Sequence, residues 1–413
     1  MRHLLQSIFG LVTGLVLFNS CSAQLPAVNT SHLDHLYEEM VLETGDSVGI
    51  IHIYAEYPDY HFVGDDDEGI ACVDDVARAA IFYLKHAEQT GHMESLRKAH
   101  MLMEFILTLQ SDNGYFYNFI WADGSIHKEG ITTKNEPNWW SWRALWCLTT
   151  FIESPLLDNY EKTADLVTAR QRLIDSMLED QNDEKKYFTV SGIDIPEWLP
   201  SNAATDQAAL ILMGLSPMAD DDPAIASYVK SLAEGIVLMQ LHSPSNWFDG
   251  AFLCWQNIWH GYGSSQAYAL LLASQTIDEG NYRQSALYEI NQFYPALWKK
   301  GWLSSFVVEK NQQKLSASDI KVYDQIAYGL RPAIWACGEA YRITGDNNYT
   351  AHALVLFSWF TGNNPAGITM YDEETGRGYD GIINDTTINK NSGAESTIEA
   401  LLSLQMLHSI INQ

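Results

Sequence analysis

Basic residues are scarce in this chain. Only 24 Lys and Arg stand against 52 Asp and Glu, a formal net charge of −28 over 413 residues. Proteins that hold nucleic acid need a basic footprint for the phosphates, so no nucleic-acid partner is expected. Cysteine is also rare, with five in all, too few for a disulfide scaffold. Cys72, Cys147, Cys254 and Cys337 are far apart and show no metal-type spacing, which leaves them as buried thiols. A Gly-rich nucleotide-binding pattern is missing, and no zinc or haem motif appears. Neither cofactor nor metal is therefore expected. What is abundant is apolar mass. Hydrophobic residues make up 46 % and charged residues 18 %, a composition that folds rather than staying disordered. The length allows one large domain or two to three smaller ones. Aromatics reach 12 %, with 13 Trp, which fits either a stacking-rich cleft or an aromatic core.

The first twenty residues read as an address. One Arg precedes an apolar run from Leu4 to Phe18, the form of a secretory signal. The run is short for a membrane span, and no second such run follows. It ends Phe18-Asn19-Ser20-Cys21, which resembles a loose bacterial lipobox with Cys21 as the lipidated residue; cleavage after Ala23 is the competing reading. The expected organisation is a lipoprotein-type signal over 1–20, a short linker over 21–30 and one domain over 31–413. The expected location follows: exported across the inner membrane, then periplasmic or anchored to the outer membrane. The lipid anchor is the one membrane contact expected, and two acyl chains make such an anchor stable.

The rest of the chain repeats itself. Six segments rich in Ala, Leu and aromatics read as buried helices: Val76–His86, Pro137–Thr150, Ala203–Leu215, Ser264–Ser274, Pro332–Thr344 and Ala394–His408. The residues near their starts, Asp74, Glu136, Asn202, His260, Asp324 and Asn389, recur every 58–66 positions. Six further segments carry a polar face: His32–Glu43, Glu94–Gln110, Tyr160–Asp180, Asp222–Leu241, Tyr282–Lys299 and Asn348–Thr361. Amphipathic helices cover a core and all-round apolar ones lie inside it. Asp74 and Asp75 stand where N-caps stand, and Pro137 and Pro332 fit a first helical turn. A period this long suits two helices and long loops better than an open solenoid of short regular repeats. The expected fold is all-α, an (α/α)6 toroid of six helical hairpins. In this the chain resembles the six-hairpin glycosidase-like superfamily.

If the inner helices run parallel, their N-termini open onto one face and bring six positive dipole ends to it. That rim is rich in acids, amides and rings. Asp74 and Asp75 precede the first inner helix, and Trp139 and Trp140 start the second. Asn202 and Asp206 are four apart at the third, one helical face if both are helical. Trp259, His260, Tyr262 and Gln266 lead the fourth, Tyr323 and Asp324 the fifth, and Asp380, Asn389, Asn391 and Glu395 the sixth. Aromatic faces and planar hydrogen-bonding groups suit a sugar ring. Paired carboxylates suit glycosidic cleavage, one as neutral acid and one as base or nucleophile. Asp206 and Glu395 each open an otherwise apolar helix, where a carboxylate must be solvated, paired or functional. With Asp74 and Asp75 they are the catalytic candidates. The others are candidates for substrate binding. Plainer readings exist: Asp74 and Asp75 as caps, Trp139 and Trp140 as core, His260 as a structural histidine, and Asp65–Glu68 as a solvated loop.

Two stretches sharpen this. Asp67–Ala79 looks like the inner-helix entry of toroid proteins that handle glycans. The tail Tyr371–Thr397, with Thr375-Gly376-Arg377-Gly378-Tyr379-Asp380-Gly381 and Asn389-Lys390-Asn391-Ser392-Gly393-Ala394-Glu395, is similar to a helical domain fused to some bacterial glycosyltransferases. These resemblances imply carbohydrate chemistry. The leading expectation is a glycoside hydrolase that cleaves a neutral oligosaccharide or polysaccharide. A lyase or epimerase using His260, Tyr262 or Tyr323 as base is the alternative on the same fold. A glycan-binding lipoprotein without catalysis is the third.

Overall fold

The computed structural model describes residues 25–182, 184–277, 281–312 and 314–411. The expected signal segment and Cys21 lie outside these residues. Among the described residues no helix is long and apolar enough to cross a membrane.

The helices are α1 (Ser31–Leu36), α2 (Val73–Thr90), α3 (Met93–Thr108), α4 (Trp139–Ile152), α5 (Thr163–Glu179), α6 (Thr205–Leu215), α7 (Pro223–Leu238), α8 (Gln266–Thr276), α9 (Asn281–Tyr288), α10 (Tyr294–Lys299), α11 (Arg331–Thr344), α12 (Asn347–Phe357) and α13 (Ala394–Ile411). A π-helical turn, Glu289–Phe293, joins α9 to α10. Around the axis, α2, α4, α6, α8, α11 and α13 each pack on the next, and α13 returns to α2. Outside them, α3 lies on α2, α5 on α4, α7 on α6, α9 on α8, α12 on α11 and α1 on α13. The ring is thus an (α/α)6 toroid closed by the two ends of the chain.

Composition explains which helices went inside. Every residue of α6 from Thr205 to Leu215 is buried, while α5 buries only Leu166, Ala169, Leu173, Ile174 and Met177. Gly214 lets α6 approach α4 closely: a Cβ there would stand 2.6 Å from Leu145 Cγ. Local signals set the helix ends. Asp222 accepts from Ala224 N at 2.8 Å, with Pro223 in the first turn. Gly91 ends α2 at φ 71°, where its N–H reaches Ala87 O.

Three expectations change. The N-cap of α2 is Cys72, whose Sγ accepts from Asp75 N, so Asp74 and Asp75 sit inside the first turn. Pro137 stands before the N-cap of α4, Asn138, and not in the helix. His32–Glu43 is not one helix. It bends after Leu36 into an antiparallel hairpin, β1 (Tyr37–Val41) and β2 (Ser47–Ile51), because the turn around Gly45 (φ 89°) folds it back and Val48, Ile50 and Ile51 bury against the helical layer. Further short antiparallel strands decorate the loops, including β3 (Tyr54–Glu56) and β4 (His61–Val63).

Candidate active site

The inner helices run parallel, and their first turns meet at one end of the axis. A cavity of about 650 Å³ there is lined by Asp74 of α2, Trp139 and Arg143 of α4, Asp206 and Gln207 of α6, and Glu395 of α13. The segments entering α8 and α11 add His260, Tyr262 and Tyr328. A second lobe of about 310 Å³ adjoins it and shares Asp74, Arg143 and Glu395. The opposite end of the axis holds another cavity, about 400 Å³, walled by Trp146, Tyr268 and Trp335. Some of its polar groups pair with one another, as in Lys85–Glu88 and Arg342–Ser409. The acids and the helix N-termini gather at the first end, and that end is the candidate site.

The floor of the site is an ionic cluster on an aromatic hub. Arg78 is buried and holds Asp75 at 2.5 Å, Glu395 at 3.2 Å and Glu399 at 2.9 Å. Arg331 also holds Glu399. Arg143 pairs with Asp74 and donates to Tyr328 Oη at 2.8 Å. The guanidinium carbons of Arg78, Arg143 and Arg331 lie 5.0, 5.3 and 5.3 Å from the Tyr328 ring centre, within cation–π range. Three arginines thus face four carboxylates, Asp74, Asp75, Glu395 and Glu399. Burial raises the Asp75 and Glu395 carboxyls above the usual range despite Arg78. Burial pushes Glu399 the same way, but Arg331 and Arg78 outweigh it and hold Glu399 low. Glu395 differs from the buried Asp75 in access: 41 % of its side chain is open to the cavity.

Across the cavity, His260 Nε2 stands 3.1 Å from Asp206 Oδ2. His260 Nδ1 lies 2.7 Å from the Tyr262 carbonyl, which can only accept, so Nδ1 carries a proton. Its ring stacks on Tyr262 at 3.8 Å. The strand Ile258–His260 explains this placement: alternate residues Ile258 and His260 face the cavity, and Trp259 between them faces the core.

The sequence candidates therefore divide. Asp74, Asp206, Glu395, Trp139, His260 and Tyr262 come together in the cavity, and Trp140 borders it. Asp75 and Asp380 line the second lobe, where burial also raises the Asp380 carboxyl. Trp140 is mostly core, its indole N–H spent on Phe116 O at 2.7 Å and Lys134 O at 3.1 Å. Trp259 is 1 % exposed, packed against Phe306 and Phe293, and is no platform for a ligand. Gln266 is fully buried and donates to Thr205 Oγ1 at 3.0 Å. Asn202 does not share a helical face with Asp206: it sits before α6 at φ 59° and points to solvent. Tyr323 and Asp324 lie on the outer approach to α11, outside the cavity. Asn389 braces its own loop by accepting from Asn391 N, and Asn391 ties that loop to another segment by accepting from Tyr57 N, each at 3.0 Å.

Sequence reasoning passed over Arg143, Arg331 and Glu399 as site residues. Their signal was available: each is an ionisable residue in or at the start of an apolar inner segment, the same argument that singled out Asp206 and Glu395. Trp255, 41 % exposed, also lies on the cavity wall.

No protein-family model and no curated protein matches the chain. Solved structures do. A sugar epimerase from a ruminal bacterium matches with TM-score 0.62 at 13 % identity, over 92 % of this chain and 95 % of that one. Cellobiose 2-epimerase from Bacillus thermoamylovorans matches with TM-score 0.61 at 12 % identity, over 92 % and 95 %. A family 76 glycoside hydrolase from a bovine Bacteroides thetaiotaomicron strain matches with TM-score 0.57 at 12 % identity, over 92 % and 76 %. At such identities the likeness is one of fold, and the fold is the six-hairpin (α/α)6 toroid.

Proposed function

We propose that this protein is a carbohydrate-active enzyme, and specifically a glycoside hydrolase acting on a neutral oligosaccharide or glycan. The observation that carries this reading is the contrast between Glu395 and Asp74. Glu395 opens on the cavity beside Arg78 with its pKa raised by burial, the direction that suits a general acid for a leaving glycosidic oxygen. Asp74 opens on the same cavity in an ion pair with Arg143, placed to activate water or attack the anomeric carbon. Trp139, Trp255 and Tyr262 offer ring faces to sugar C–H surfaces, and Asp206, His260 and Gln207 offer hydroxyl partners. The ionic balance favours a neutral substrate: Arg78, Arg143 and Arg331 of the floor each already face a carboxylate, so none of these three is spare for a sugar acid, as a lyase requires. Both hydrolases and epimerases of sugars occur among the proteins that share this fold. The tail's resemblance to a glycosyltransferase-fused domain supports glycan chemistry in general. Export as a lipoprotein through Cys21 belongs to the same proposal.

The test is a product assay on neutral oligosaccharides with the chain from residue 24 onward. New reducing ends, lost in Glu395→Gln by about 10²–10⁴-fold with the fold intact, support the reading. One observation favours a second reading, an epimerase or isomerase: the His260–Asp206 pair, with Nδ1 fixed on Tyr262 and Nε2 facing the acid. Deuterium uptake from D2O into the sugar without new reducing ends selects that reading and sinks the first.

A further inference from the structure

The hydroxyl of Tyr328 makes half of the hydrogen bonding open to it. Tyr328 stands in the short turn Ala327–Gly329 before α11 and is 4 % exposed. Arg143 Nη2 donates to its Oη at 2.8 Å. A guanidinium only donates, so the phenol oxygen is the acceptor in this bond and its own hydrogen is left over. Among the described residues that hydrogen meets no acceptor. Accepting from a cation also polarises the O–H and strengthens it as a donor.

The oxygen is held firmly in place. The ring lies within cation–π range of Arg78, Arg143 and Arg331, and the turn before α8 presses on its tip: a Cβ on Gly263 would stand 3.2 Å from Tyr328 Oη. Arg143 is fixed by few bonds. Nη1 pairs with Asp74, Nη2 with Tyr328, and the buried Nε has no partner among the described residues. Asp74 and Tyr328 Oη therefore sit side by side on one guanidinium, and both residues line the larger cavity of about 650 Å³.

We infer that Tyr328 is a substrate-binding residue: its O–H donates to one hydroxyl oxygen of the sugar unit held beside Asp74, and so selects a sugar with a hydroxyl at that position. The inference rests on the carbohydrate reading of this site and not on the cleavage step. A cation or an apolar group at this point would leave the polarised hydrogen unmet, and a sugar oxygen meets it.

The experiment removes the bond from both ends. Tyr328→Phe keeps the ring against the arginines and deletes the hydroxyl; the probes are methyl glycosides of glucose, mannose and galactose and the monodeoxy forms of each, followed by calorimetry. The wild type should bind one monodeoxy form about two- to tenfold more weakly than its parent, the worth of one hydrogen bond. Tyr328→Phe should bind the parent more weakly by a similar factor and lose nothing further on that form. A variant that acts only by loosening Arg143 weakens parent and deoxy forms alike, so losses that multiply at every position overturn the inference. Failure of the wild type to bind any probe overturns it too. A crystal of the wild type with the tightest probe needs no variant: a sugar hydroxyl oxygen should lie about 2.5–3.0 Å from Tyr328 Oη, and a sugar seated away from it sinks the assignment. Reducing ends from oligosaccharides are followed separately. Coupling without cleavage fails the hydrolase reading and leaves Tyr328 standing; cleavage without coupling does the reverse.

Discussion

Arg78 of α2 and Glu399 of α13 are 321 residues apart in the chain and 2.9 Å apart in the fold. Their bond closes the ring of inner helices, and Arg331 of α11 shares the same carboxylate. All three side chains are buried to 2 % exposure or less. Removing one partner of a buried pair leaves the other charge uncompensated, at a cost of about 3–5 kcal/mol. Glu399→Gln should therefore lower stability by that order in denaturant titrations. The wild type adds a pH signature. The folded-state pKa of Glu399 is held below the ordinary value, so its contribution is full above the unfolded pKa and fades as pH falls through the folded one. The variant should lack that part of the acid transition. An unchanged midpoint in Glu399→Gln would show that the cluster is not what joins α2, α11 and α13.

Activity should have an alkaline limit set by Glu395. A general acid works only while protonated, and burial raises the pKa of this carboxyl. The rate should fall as pH climbs past a value above the ordinary glutamate range. Glu395→Gln should keep the melting temperature within a few degrees, lose about 10²–10⁴-fold in kcat, and lose the alkaline limb from its residual rate. A variant that keeps both rate and limb would assign the acid to another group.

Two tryptophans four residues apart should behave oppositely. Trp255 is 41 % exposed on the cavity, and Trp259 is 1 % exposed in the core between Phe293 and Phe306. Trp255→Ala should raise KM with little change in stability. Trp259→Ala should cost about 3–5 kcal/mol, as deletion of a packed aromatic does. Asn202→Ala and Asp324→Ala, both at solvent-exposed positions outside the cavity, should leave kcat/KM unchanged. Steady-state kinetics and thermal melts on the four variants read all of these.

The toroid was legible because burial writes itself into composition: helices apolar all round recur at a steady period, and amphipathic ones lie between them. The end of the barrel that carries the acids was legible for the same reason, since Asp206 and Glu395 interrupt apolar runs. What stayed hidden depends on side-chain direction. Trp259 and His260 are neighbours in a strand, so they face opposite ways, and read as helix entry both seemed available to a ligand. Asn202 lost its place because a positive φ takes it off the helix. The ionic floor was hidden because Arg78, Arg331 and Glu399 meet only when the first and last thirds of the chain close the ring.

Glu289 offers a test of the fold that is independent of any substrate. It lies in the π-helical turn between α9 and α10, 2 % exposed, where Oε1 accepts from Phe252 N and Oε2 from Tyr294 Oη, each at 3.1 Å. No cation faces it among the described residues, and burial pushes its pKa up to about 8. The folded protein therefore keeps a proton that the unfolded chain releases above about 4.5. Between those two values the native state binds more protons than the unfolded one, so stability falls as pH rises, by about 1.4 kcal/mol per unit from this group. Above pH 8 the loss is complete. Glu289→Gln keeps the shape and the hydrogen bonds with no charge to release. The variant should match the wild type near pH 5, exceed it in stability at pH 8, and flatten this part of the pH profile. Denaturant titrations from pH 5 to 9 decide the matter. If wild type and variant remain equally stable at pH 8, the carboxylate is charged and solvated there, and the packing of the π-turn against the core must be looser than its burial implies.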